Sequence, residues 1–172
     1  MRIYRKVIPK ITKDIIRALL ANKAIEIEDG HRDEAELDLA GIIVEYLNTV
    51  DGIKQDAKDA IERHGLKIET LGRIKRSLAE ARKVVVDGEE ALDFLIDRMI
   101  RGMFESRHVT EVFAEDHEIR KTMHEAMKKY LGVDEELDRE VRGRLKNLRE
   151  GTTEWEVEYG RLIDQMRAAK VG

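Results

Sequence analysis

Histidine stands beside glutamate twice in the stretch "EDHEIRKTMHE", as His117-Glu118 and His124-Glu125. Imidazole next to carboxylate is the raw material of metal binding and of acid–base catalysis. The spacing argues against both. Seven residues return to nearly one helix face but stand two turns, roughly 10 Å, apart. Ligands of a single ion converge from i and i+3 or i+4 to about 2 Å from the metal. Arg120, Lys121 and Lys128 lie within about a turn of His124 and repel a cation. The stretch is expected to open a helix, with Asp116 as its N-cap and Glu118 against its positive end.

Two E-x-x-H matches, Glu28 with His31 and Glu105 with His108, have the spacing of di-iron carboxylate bundles, where the motif sits mid-helix. Asp29-Gly30 puts the first in a turn, and the second falls at a helix end, so no metal site is expected from either. "HRD" at 31–33 matches a kinase catalytic loop in three letters, without a glycine-rich loop or D-F-G. Serine occurs only at Ser77 and Ser106, outside any G-x-S-x-G setting, and cysteine is absent. No catalytic residue, thiolate site or cofactor motif is therefore expected.

Charge offers a different chemistry, because it comes in blocks. Residues 1–23 hold seven basic side chains and one acidic, and residues 24–51 hold nine acidic and one basic. In "GRIKRSLAEARK" (72–83) Arg73, Arg76 and Lys83 share one helix face, with Leu71, Ile74 and Leu78 opposite. Arg2, Arg5, Lys6, Lys10, Arg73 and Arg76 form the candidate nucleic-acid-binding set. Aromatic residues for base stacking are nearly absent from these stretches, and no Trp or Phe anchors them to a membrane surface.

The elements that must position these residues are helical and appear twice. Setting residue n against n+84 pairs Ile11 with Leu95, Ile15 with Met99, Leu20 with Phe104, Tyr46-Leu47 with Tyr130-Leu131, Ile61 with Leu145 and Leu71 with Trp155. The expectation is a duplicated, roughly four-helix unit, residues 1–84 and 85–172, whose halves share a core. Helices are predicted near 9–22 and 88–106, with broad apolar bands that place them at the centre, and near 32–48 and 116–131. A third pair follows Asp51 and Asp134 as N-caps, and a fourth covers 68–83 and 153–168, Thr153 and Glu156 fitting a capping box. "AIEIE" (24–28) and "VTEVF" (109–113) alternate as short strands that would pair between the halves. Arg17 and Arg101, and Glu34 and Glu118, are identical polar residues at the repeat offset. They are expected as ion pairs, Arg17 with Glu34, or as a shared anion site.

Composition agrees with a folded, mostly helical chain. Of 172 residues 42% are hydrophobic and 40% charged, for a net charge of −4. The wealth of Glu, Lys and Arg with few amides is the pattern of ion-pair networks at high temperature and predicts thermostability. No apolar run reaches 18 residues, and the basic N-terminus is interrupted by Arg17, so it reads as part of the fold and not as a secretory peptide. The lack of cysteine fits a reducing cytoplasm.

"MRIYRKVIPKI", "VTEVFAEDHEIRKTM", "VDEELDREVR" and "EGTTEWEVEY" together resemble the bacterial family catalogued as domain of unknown function 507, in its long form. The resemblance spans nearly the whole chain and implies a bacterial, cytoplasmic protein, and it brings no activity or cofactor with it. The expectation is an all-α, non-enzymatic interaction or scaffold protein whose partner is another protein. The alternatives are a nucleic-acid-associated protein and a carboxylate/His metalloprotein.

Overall fold

A computed structural model describes residues 1–171, apart from the side chains of 132–135, 170 and 171. In chain order its elements are α1 (Ile8–Ala21), β1 (Ile25–Ile27), α2 (Arg32–His64), α3 (Leu71–Ala81), α4 (Glu90–Glu105), β2 (Val109–Val112), α5 (Asp116–Arg144) and α6 (Thr153–Val171). The fold is mostly α, with one small antiparallel strand pair.

α1 and α4 are the central helices, each packed between α2 and α5. Ile11, Ile15, Ile16 and Leu19 of α1 and Leu95, Ile96 and Met99 of α4 are fully buried, as their broad apolar bands require. Phe104, at the end of that band, is instead exposed: Met103 in the same turn is buried, and Phe104 falls on the outward side of α4 with Asp97 and Arg101. Pro9 sits in the first turn of α1, where a missing N–H costs nothing. α1 ends in a left-handed residue, Lys23 at φ 54°, where the Lys23 N–H donates to Leu20 O and the Ala24 N–H to Leu19 O. α3 ends the same way at Lys83, φ 55°.

The helix boundaries expected at Asp51 and Asp134 do not form. α2 runs unbroken for 33 residues, about 50 Å, since Leu39, Ile43, Tyr46, Ile53 and Ala57 stay in phase on one buried stripe. Asp51 points out from its middle and pairs with Arg5 at 2.8 Å. The backbone of α5 likewise runs through position 134, and the side chain of Asp134 lies outside the described residues. At the start of α5 the cap is Glu115, not Asp116. The Glu115 carboxylate accepts the N3 amide of Glu118, and the Glu118 carboxylate accepts the Glu115 N–H at 3.0 Å. Asp116 pairs with Arg120. At α6 the capping hydroxyl belongs to Thr152, which accepts the Trp155 N–H at 3.3 Å, one residue before the Thr153 expected.

The main core takes buried side chains from residues 3–46 and from 92–131. A second cluster, Leu137, Val141, Leu145, Trp155, Tyr159 and Ile163, closes α5 on α6. The N-terminus ties it down: the Arg2 guanidinium lies 4.2 Å from the centre of the Tyr159 ring and 3.9 Å from Asp138, and the Tyr4 hydroxyl donates to Asp164. Burial and the Tyr159–Asp138 hydrogen bond push the Tyr159 phenol well above its ordinary value.

Candidate functional site

α1 and α4 end at the same end of the bundle, where their connections to α2 and α5 carry β1 and β2. The strands align Ile25 with Val112, Glu26 with Glu111 and Ile27 with Val109, the register slipping between Glu26 and Ile27. The ladder is continued by the Glu28 N–H, which donates to His108 O at 2.8 Å. Residues flanking the two strands are therefore brought face to face although 80 positions separate Glu28 from His108 in sequence.

Three potential ligands meet there. The His31 and His108 rings stack with centroids 4.9 Å apart and planes at 12°. The Glu28 carboxylate lies 3.7 Å from His108 Nδ1 and 3.9 Å from His31 Nε2. Glu34 Oε1 lies 3.6 Å from His31 Nδ1. These separations exceed hydrogen-bond length, and the Nδ1 atoms of both rings are buried without a hydrogen-bond partner. His108 also borders a shallow depression of about 310 Å³ lined by Asp38, Gly102, Glu105, Ser106 and Arg107, whose rim is held by a 2.7 Å hydrogen bond from the Ser106 hydroxyl to Asp38. Glu105, the other acidic member of the E-x-x-H matches, faces this depression and is not part of the His31–His108 group.

The same end exposes large apolar side chains. Leu37 in the second turn of α2, Phe104 at the end of α4 and Phe113 directly after β2 are 69%, 67% and 62% exposed. Around them lies most of the acidic block, Glu26, Glu28, Asp29, Asp33, Glu34, Glu36 and Asp38.

The other sequence candidates are dispersed. His117 is exposed and stands 3.4 Å from Glu115, while His124 stands 3.8 Å from Asp93 across the α4–α5 groove, so the two do not share a ligand position. Arg120 in that groove pairs with Asp97 at 2.6 Å, a bond that raises its already high pKa. Arg17 pairs with Asp14 at 3.5 Å rather than with Glu34. Of the six basic candidates for nucleic acid, Arg2 and Arg5 are engaged by Tyr159, Asp138 and Asp51. Lys6, Lys10, Arg73 and Arg76 are exposed.

No helix among the described residues is long and apolar enough to cross a membrane. No curated protein matches the chain. A family model described as protein of unknown function (DUF507) matches residues 1–171, and the chain belongs to that family.

Proposed function

We propose that this is a non-enzymatic helical interaction protein, and that it meets a partner protein through the strand end of the bundle. The observation that carries the reading is the exposure of Leu37, Phe104 and Phe113 at that end. Large apolar side chains left in water beside a dense acidic block suit a partner surface with an apolar pocket and basic surroundings. We also read the chain as a duplicated unit in a bacterial cytoplasm. In support, α4, β2, α5 and α6 begin at residues 90, 109, 116 and 153 against 8, 25, 32 and 71 for α1, β1, α2 and α3, a nearly constant offset.

Photo-crosslinking side chains placed at Leu37 and Phe104, in cells, test the reading. The expected result is a discrete adduct with one basic protein, absent when the crosslinker sits at Arg73 and weakened by salt during capture. No adduct, or one of twice the chain's mass, overturns it.

The exposed Lys6, Lys10, Arg73 and Arg76 sustain nucleic-acid binding as a second reading. It predicts affinity for mixed RNA or DNA that falls steeply with salt. Arg2 and Arg5, exposed but paired with Asp138 and Asp51, must exchange those partners for phosphates, so the slope is expected to reflect between four and six contacts. Full-length protein unretained by nucleic acid at low salt disposes of the second reading.

A further inference from the structure

We infer that Glu28, His31 and His108 bind one divalent transition-metal ion, zinc in the first instance, which clips the α1–α2 connection to the α4–α5 connection. The inference stands apart from the partner reading. It rests on convergence: one ligand atom from each residue lies within 4.8 Å of the other two. Tetrahedral bonds of about 2.0–2.1 Å hold ligand atoms about 3.3 Å apart, so the set must draw in by at most about 1.5 Å. All three side chains sit on connections or at a helix cap, where torsions supply that movement. An ion lies in the plane of any imidazole it binds, so at least one ring must turn out of the 12° stack.

Two further features point the same way. Both buried Nδ1 atoms lack a hydrogen-bond partner, an unfavourable state that one bound cation relieves through a direct bond to His108 and an ordered Glu34 contact to His31. With Nε2 of His31 on the metal, its Nδ1–H faces Glu34, an outer carboxylate of the kind that fixes the tautomer and orientation of a ligating histidine.

The donor set selects the metal. Two imidazole nitrogens and one carboxylate suit zinc and its first-row neighbours, whereas magnesium and calcium take oxygen ligands. The depression beside His108 gives an ion access, and a water completes the fourth position.

The test uses tag-free full-length chain, stripped with chelator and titrated with Co²⁺ and then Zn²⁺. The expected result is one ion per chain, intense visible absorption from four-coordinate Co²⁺ that Zn²⁺ abolishes, and a Tm rise of roughly 5 °C or more at a hundredfold excess of zinc over Kd. His31→Gln and His108→Gln should each weaken binding by about a hundredfold or more, and Glu34→Gln by about tenfold. His117→Gln and His124→Gln should leave it unchanged. Absent or only weak octahedral Co²⁺ absorption overturns the inference, as does binding that survives His108→Gln and is lost in His117→Gln. Should His108→Gln fail to fold, nitrogen NMR of the wild type decides: zinc must shift two of the five imidazoles, and shifts in none or in His117 and His124 refute the site.

Discussion

Tyr46 gives the fold a test that separates a buried hydrogen bond from simple burial. Its ring is 2% exposed in α2, and its hydroxyl donates to Val85 O at 2.9 Å, joining α2 to the segment between α3 and α4. Burial, helped by the nearby Asp87 charge, pushes the phenol up to about 12, against about 10 in an unfolded chain. The fold thus favours the neutral form. Its contribution is intact below pH 10 and is lost as pH climbs from about 10 to about 12. At pH 11 the unfolded phenol is roughly nine-tenths ionised and the folded one roughly one-tenth, so wild type loses about 1.4 kcal/mol through this residue. Tyr46→Phe removes the hydrogen bond, at a cost of about 1 kcal/mol that does not depend on pH, and removes the titration as well. Urea unfolding followed by circular dichroism should show wild type about 1 kcal/mol more stable than the variant at pH 8, and the gap should close at pH 11. Lysine titration and general alkaline strain affect both proteins and cancel in the comparison. A gap of the same size at both pH values would refute the buried neutral phenol, and no gap at pH 8 would refute the bond to Val85.

Two further outcomes follow from local geometry. Lys83 ends α3 at φ 55°, a conformation that costs a side-chain-bearing residue about 1–2 kcal/mol and glycine almost nothing. Lys83→Gly is therefore expected to raise the urea midpoint by an amount worth about 1 kcal/mol, while Lys10→Gly, within α1, should lower it similarly. Trp155 is the single tryptophan and stacks on Tyr159 at 4.9 Å inside the small α5–α6 core, which has far fewer buried residues than the main one. Its fluorescence should report unfolding at lower urea than circular dichroism does. Arg2→Ala should widen the difference, because Arg2 ties the N-terminus to Asp138 and Tyr159. Superimposable transitions in both proteins would mean that the two cores unfold as one.

The helices and the strand pair were legible because each rests on a local period. The 3.6-residue stripe through Ile11, Ile15 and Leu19 and the alternation in "AIEIE" need no knowledge of the partner surface. The unbroken length of α2 is also written in the sequence, in the phase kept from Tyr46 to Ile53 and Ala57, against which Asp51 alone resembles an N-cap. Caps moved by a single residue, Asp116 to Glu115 and Thr153 to Thr152, because adjacent residues of one chemistry compete for the position. The His31–His108 stack was missed for a different reason. Helix spacing describes each E-x-x-H match alone, while the contact comes from strand register. An antiparallel pairing of 25–27 with 109–112 necessarily sets residue 28 near residue 108, so the contact is encoded in the strand register and in neither helix period.

Several departures from local preference lie at the strand end of this molecule. α1 and α4 are enclosed by their neighbours, the aromatic residues of the second cluster fill a core, and part of the N-terminal basic block is engaged by Asp51 and Asp138. The strand end carries two glutamates opposed across strands, histidine nitrogens without partners, and phenylalanines in water. Each is individually unfavourable, and a single substitution at each position would remove it. Exposed aromatic side chains, opposed glutamates and unpartnered histidine nitrogens gathered at one end are what a binding requirement acting against folding preference produces. That concentration, more than any single residue, is why both the partner surface and the metal clip are assigned to the strand end.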